Sequence, residues 1–354
     1  MQQALFPALE KELAAPLGEK GELFVTVVEL SRPERFIEHF EWQGVGCPRK
    51  WRLPLLLAFV AKMVWNFPTT RALLERLAHD PCLRRLCGWE KAAEIPSEST
   101  FSRAFAEFAR SQLPQTIHEA LGREKLGSKL VGHISRDATA IAGREKPAKK
   151  PPKPKRPKAQ RGRPRKGEER PRPEPTRLEL QGGRTLEENL ADLPTVCDVG
   201  AKKNAQGVNQ YGVGYKLHID TADGEIPISA ILTSARLHDS QAAIALAQMT
   251  ARRVVNLYDL MDAAYDMTPI EGFSRRLGHV PIIAPNAGLG HDLPLAPARQ
   301  TRFAERSAAE RVNSDLKDNH GGSTVRVRGA VKVMAHLMFG LLVVTAQALC
   351  RLLE

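Results

Sequence analysis

Residues 211–233 read YGVGYKLHIDTADGEIPISAILT. β-branched and aromatic positions alternate with polar ones on both sides of Asp220 to Gly224, a cluster of turn-forming residues. The pattern predicts an antiparallel hairpin, Tyr211 to Ile219 paired with Ile226 to Thr233. Working outward, Asp239 and Ser240 stand where caps are expected before the small-residue helix AAIALAQMTARR. Val254 to Leu260 reads as a strand, a helix follows Thr268, and His279 to Ala284 reads as a short buried strand. Upstream, Leu130 to Arg136 supplies an initial strand. The order is strand, long insert, hairpin, helix, strand, helix, strand, then long C-terminal helices, which is an α/β domain interrupted by an insert.

Before that domain the period is helical. Leu53 to Trp65 is mostly apolar, Thr70 precedes RALLERLAH, and Ser97 or Ser99 can cap SESTFSRAFAEFAR, which carries Phe101, Phe105 and Phe108 on one face. Arg103 and Arg110 lie on the opposite side. This all-α unit ends near residue 125 and is either a helix-turn-helix-like DNA reader or a bundle with solvated arginines.

The chain has 354 residues, 42% hydrophobic and 26% charged, which suits two or three domains and excludes wholesale disorder, collagen-like repeats and a coiled coil. Lys and Arg number 52 against 40 Asp and Glu, a net charge of +12 that suits a polyanionic partner. Residues 144–176 hold 14 of those cations and only 4 acids, together with nine prolines and almost no large apolar residue. Such a segment builds neither helix nor core and is expected to be an extended, disordered strap. Within it, Arg161-Gly162-Arg163-Pro164 resembles an AT-hook, whose guanidinium groups lie along a narrow minor groove, and equally suits a solvated basic linker. Five scattered cysteines form no CxxC pair and are read as reduced. His79, Cys82 and Cys87 lack a fourth ligand at zinc-finger spacing and are assigned to packing. The N-terminus has acids inside its apolar stretch, unlike a signal peptide, so a cytoplasmic protein is expected. Leu337 to Ala346 is about half a bilayer span, is read as a buried helix, and implies no membrane.

Three acids stand out. Asp137 follows the first strand, and Asp262 follows VVNLYDL, so both project from strand ends, where open α/β sheets place functional groups. Asp239, Asp259 and Asp266 compete for the same assignment. In TRFAERSAAERVNSDLKDNHG, a helix advancing about 100° per residue places Phe303, Arg306, Glu310 and Lys317 within an arc of about 60°. One aromatic, two cations and one acid make a poor core face. They suit either a functional stripe or a solvated face with an i,i+4 salt bridge.

Phe303-x2-Arg306-x3-Glu310-x6-Lys317 resembles the Tyr-Arg-Glu-Lys signature of bacterial insertion-sequence transposases of the DDE type, with Phe in place of Tyr. Asp262-Ala-Ala-Tyr265-Asp266 is similar to that family's motif around its second acid, and Asp137-Ala-Thr139 to the motif around its first. GYKLHID, LTSARLHDSQAA and ERVNSDLKD also look like family text. The resemblance runs from Asp137 to the C-terminus, skips the strap, and extends more weakly over residues 45–110. It departs from the pattern at IIAPNAGLGHDLPLAPARQT, before Phe303, which is short and poor in basic residues.

The resemblance implies a ribonuclease H-like catalytic domain in residues 126–143 and 185–330. It would be preceded by a helical DNA-binding and dimerisation region (1–125), split by a basic Pro-rich insert (144–184) and followed by an apolar helix packed on the catalytic domain (331–354). It implies that Asp137, Asp262 and Glu310 bind Mg²⁺, or Mn²⁺ in its place, and catalyse DNA cleavage and strand transfer. It further implies that Arg306 and Lys317 contact phosphates and Phe303 stacks on the bound end. Lys216, Arg326, Arg328, Arg161 and Arg163 extend the DNA-binding track. The implied partners are double-stranded DNA, both transposon ends and target, and a second copy of the chain in a homodimer on DNA, so the protein is expected with the nucleoid in the cytoplasm. The alternative is a catalytically inactive relative that occupies element ends as a DNA-binding protein.

Overall fold

The computed structural model describes residues 17–40, 50–149, 174–203, 208–286 and 295–353. Arg161 and Arg163 and most of the strap lie outside the described residues, as do residues 287–294.

A six-stranded sheet is built from β1 (Leu130–Ala142), β2 (Asp198–Lys203), β3 (Asn209–Ala222), β4 (Ile226–Ser234), β5 (Val255–Met261) and β6 (Val280–Ile283). The main path runs β4, β3, β1, β5, β6, and β2 pairs with the first half of β3. β3 is antiparallel to β1, β2 and β4, whereas β5 is parallel to β1 and β6 to β5. The expected hairpin is β3 and β4, but its ladder continues to Ala222 opposite Ile226, so the turn is confined to residues 223–225. Gly224 and Glu225 both have positive φ there. Asp220, expected in the turn, instead lies fully buried inside β3. Arg136 sits directly opposite it in the β1 register and donates from Nε and Nη2 to its two carboxylate oxygens, each at 2.8 Å. Thr250 Oγ1 donates to the same carboxylate at 2.7 Å.

Helices α1 (Gly18–Ser31), α2 (Arg52–Val64), α3 (Thr70–His79), α4 (Pro81–Leu86), α5 (Glu98–Arg110) and α6 (Leu113–Leu126) form the N-terminal unit. α5 buries Phe101, Phe105 and Phe108 as its spacing predicts, around Phe59 of α2 at ring distances of 5.8, 5.1 and 6.3 Å. The cap of α3 is Thr69, one residue earlier than read, accepting from the Ala72 N–H at 3.1 Å.

The insert ends earlier than residue 184. α7 (Arg177–Gln181) and α8 (Leu186–Asp192) each begin with a capping box, Thr176 with Glu179 and Thr185 with Glu188. Leu178 joins the core beside α9 (Ser240–Ala251) and α10 (Thr268–Arg276). α11 (Pro297–Phe303) and α12 (Ser307–Asn319) follow, separated by a 3₁₀ turn at Ala304–Arg306.

The last helix, α13 (Ala330–Leu353), does more than cover the α/β domain. Phe339, Leu342, Val343 and Ala346 belong to the core of the helical unit, while Val333, Leu337, Leu341 and Val344 pack on the sheet. One helix therefore welds the two units together. It is long and apolar enough to cross a membrane, yet it is mostly buried inside the fold, as a core helix is.

Candidate active site

The β1 and β5 register brings the first two acids together. Arg136 pairs with Met261 across the parallel ladder, and the next residue on each strand path is an aspartate, Asp137 and Asp262. β1 continues along β3 to Ala142, so Asp137 lies within its strand and not at the strand end expected, whereas Asp262 does follow the end of β5. Adjacent strands lie about 4.8 Å apart, so residues at one level are neighbours although 125 positions separate them in sequence. Asp262 ends β5 by capping the following 3₁₀ turn, its Oδ1 accepting from the Ala264 N–H at 2.9 Å.

Glu310 arrives on α12, which packs across β1 and β3. Two contacts set its position. Asn313 Nδ2 donates to Asp137 Oδ2 at 2.8 Å, and Arg306 Nη1 lies 3.7 Å from Asp137 Oδ1. The other nitrogen of the same guanidinium, Nη2, donates to Glu310. Arg306 thus bridges two of the three acids, with Asp137 and Arg306 each 19% exposed at the side chain and Glu310 58% exposed.

Charge accounts for the chemistry of the cluster. Burial pushes the Asp137 carboxyl above the usual carboxylate range; Arg306 and the Ala138 N–H oppose this, and Asp262 and Glu310 reinforce it. Burial likewise pushes Asp262 up, against the Ala264 N–H and Arg306, with Asp239 adding repulsion. These are hard oxygen donors on three different elements, a set that suits Mg²⁺ or Mn²⁺ better than zinc. Among the described residues, no group of three or more His, Cys, Asp or Glu stands close enough as it is to hold an ion. The Arg306 guanidinium is the positive charge shared by Asp137 and Glu310, so a divalent cation would have to compete with it for these carboxylates.

The competing aspartates have other work. Asp259 is buried and accepts from Ser274, from Asn256 at 3.0 Å and from His279 at 3.1 Å. Asp266 accepts from the Asn286 N–H at 2.9 Å. Asp239 makes no capping bond at the start of α9; it pairs with Lys216 Nζ at 2.7 Å, and the same ammonium donates to the Leu237 carbonyl at 2.8 Å. Lys216 is therefore half-buried and spent on holding the β4 to α9 connection.

Of the stripe read from the sequence, Glu310 and Lys317 lie on α12, and Arg306 ends the 3₁₀ turn as the residue that precedes the helix. Phe303 precedes that turn, where the helical phase is reset, and stays in contact through the Arg306 guanidinium, 5.8 Å from its ring centre. Arg326 and Arg328 are exposed on an extended stretch before α13. Sequence reasoning missed Asn313, which reads as an ordinary polar helix position. It named Tyr265 only as part of a motif and missed its environment: the buried hydroxyl has no hydrogen-bond partner among the described residues, and its pKa is raised by burial and by Asp239, Asp137 and Asp262. A tyrosine three residues after Asp262 on a tight turn was the available signal.

Residues 191–345 match the family model described as Transposase DDE domain. Residues 16–107 match the one described as Transposase domain (DUF772). No curated protein and no solved structure matches the chain. Asp262 and Glu310 fall inside the first match; Asp137 falls between the two, on a strand that the insert separates in sequence but that the sheet rejoins.

Proposed function

Because the chain belongs to the insertion-sequence DDE transposases, a family that generally uses divalent metal ions, we propose that it binds the terminal inverted repeats of its element, cuts there and joins the ends to target DNA. Asp137, Asp262 and Glu310 are the acids of the reaction. The observation that carries this reading is the position of Asp137 and Asp262, each one residue beyond the Arg136 and Met261 pair that ends the β1–β5 ladder, with the helix of Glu310 fastened to Asp137 through Asn313. A ribonuclease H-like fold is supported by the sheet, in which three antiparallel strands are followed by two parallel to β1 in the order β4, β3, β1, β5, β6.

Asp137, Asp262 and Glu310 would hold a divalent ion, Mg²⁺ or Mn²⁺, which when bound would supply charge stabilisation for an in-line displacement at phosphorus. The chain's own residues do the positioning. Asn313 fixes one oxygen of Asp137 and leaves the other facing Arg306. The Ala264 N–H orients Asp262. Arg306 exchanges a carboxylate for a DNA phosphate as the backbone arrives, a charge-assisted contact on either side of the exchange. Lys317, Arg326 and Arg328 extend the phosphate track, and the Phe303 ring stacks on the bound end. Processing two ends requires two copies, so the active species is a homodimer on DNA, associated with the nucleoid in the cytoplasm.

A second reading, a DNA-binding relative that does not cut, has the bridging of Asp137 and Glu310 by Arg306 in its favour. Incubating the protein with labelled DNA carrying the element's own ends, with Mg²⁺ or EDTA, separates the two. Metal-dependent cuts at the boundary and joined products support the transposase; shifted but uncut DNA in every lane supports the second reading.

A further inference from the structure

A cleft of about 450 Å³ lies between the helical unit and the segment leading into α13, and none of the three acids lines it. Its walls include Lys62, Arg144, Arg326, Arg328 and Lys332, against a single acid, Glu98. That acid is already turned toward Arg71, at 3.7 Å. Lys62, in the last turn of α2, is the unusual member. It is only 5% exposed, and its ammonium finds no hydrogen bond or ion pair among the described residues. Burying an uncompensated charge is costly, and this ammonium lines the cleft, where an anion can reach it. Burial lowers its pKa to about 8, so it still carries its charge at neutral pH.

The cations do not converge by accident of flexible side chains. Glu145 accepts from the Tyr215 hydroxyl at 2.6 Å and from the Gly329 N–H at 2.7 Å. One carboxylate thereby clamps the chain beside Arg144 to the sheet and to the chain beside Arg328. Gly329, with φ +86°, makes the bend that lets α13 start there. On the opposite wall, the buried His336 imidazole bonds the Gly321 carbonyl at 2.9 Å and is held neutral, its pKa lowered to about 3 by burial and by Lys62. It neither competes with an anion nor pairs with the lysine.

We propose that this cleft is a second DNA-contact site, in which Lys62, flanked by Arg144, Arg328 and Lys332, receives a backbone phosphate and so couples the helical unit to the bound duplex. The site rests on the reading of the protein as one that binds DNA, and it adds a buried lysine that recognises a phosphodiester irrespective of base sequence. The same chemistry would accept free phosphate, so the test separates the two sources.

The experiment is a fluorescence anisotropy titration of the full chain with a labelled duplex across a range of salt concentrations, comparing wild type, Lys62→Met, Lys332→Ala and the exposed control Lys20→Met. Removing one phosphate contact is expected to weaken binding on the order of tenfold and to flatten the slope of log K against log salt by about 1 for Lys62→Met and for Lys332→Ala. Lys20→Met should change neither. Melting temperatures are measured alongside, and Lys62→Met should melt no lower than wild type. Equal affinity and slope in Lys62→Met and Lys20→Met would overturn the site. It would also be overturned, in favour of a small-anion site, if inorganic phosphate raised the melting temperature of wild type but not of Lys62→Met while DNA binding stayed equal. Lys332→Ala, at an exposed position of the cleft that the phosphate track beside the acids does not include, keeps the test valid should the buried variant unfold. Wild type that binds DNA through this cleft but never cuts it would overturn the transposase reading alone.

Discussion

Asn313 and Asp137, 176 residues apart, are joined by a hydrogen bond of 2.8 Å that fastens the helix carrying Glu310 to the strand carrying the first acid. Asn313→Ala should therefore leave all three acids present but loosely placed. Loss of a hydrogen bond to a charged group costs about 1.5–3 kcal/mol. Positioning contacts of this kind are worth on the order of ten- to a hundredfold in activity. Single-turnover cleavage at saturating DNA should fall by that factor with DNA affinity unchanged; an unaltered cleavage rate would leave Asn313 a structural contact only.

Arg136, next to Asp137 but pointing to the other face of β1, holds Asp220 in a buried bidentate pair. Arg136→Met strands a carboxylate in the core and should cost about 3–5 kcal/mol in a denaturant titration. Adding Asp220→Leu should recover much of that loss. A double variant as unstable as the sum of the two single variants would mean that the pair is not coupled.

The site acids store instability at neutral pH. Asp137 and Asp262 both have folded pKa values raised by burial, so their contribution to stability is complete below the ordinary carboxylate range and is lost as pH rises through the raised values. Asp262→Asn should then raise the melting temperature at pH 7 and leave it near that of wild type under acid conditions. Mg²⁺ should stabilise wild type at pH 7 and have little effect on Asp262→Asn. Equal stabilisation of both proteins would place the ion elsewhere.

Lys62 shows the opposite sign. Its folded pKa is depressed to about 8, so its contribution to stability is present above the usual lysine value and is lost as pH falls through 8. The groups around it are the neutral His336, the cations Arg144, Arg326, Arg328 and Lys332, and Glu98. Lys62→Met should gain roughly 3 kcal/mol at pH 7, an advantage that shrinks toward zero as the medium becomes alkaline enough to discharge the lysine. Constant stability of the variant relative to wild type across that range would show that Lys62 is solvated.

Much of this architecture is legible in the residues. Period-two runs locate β3 to β6 within a few residues, and the phenylalanine spacing of α5 gives its buried face. Local patterns fail where a distant partner decides. Asp220 reads as a turn residue because aspartate favours turns, and only Arg136, 84 positions earlier, draws it into the strand. Asp239 reads as a helix cap, but Lys216 on β3 claims its carboxylate. The Thr-x-x-Glu boxes that start α7 and α8 were readable and mark the end of the insert more sharply than its charge does. Spacing alone leaves several aspartates in competition, and it is the resemblance to the family's motifs that singles out the three acids; the strand register that sets Asp137 level with the end of β5 is contained in no window of sequence.

The central claim is that Asp137, Asp262 and Glu310 act as one unit. Its most direct test is the Mg²⁺-dependent rate of cleavage at the element's ends for wild type, Asp137→Asn, Asp262→Asn, Glu310→Gln and the triple variant, all at saturating DNA. Residues that serve one function together lose it together, so each single substitution should abolish cleavage as completely as the triple one while leaving DNA bound. Substantial cleavage by any single variant, Glu310→Gln above all, would contradict the account.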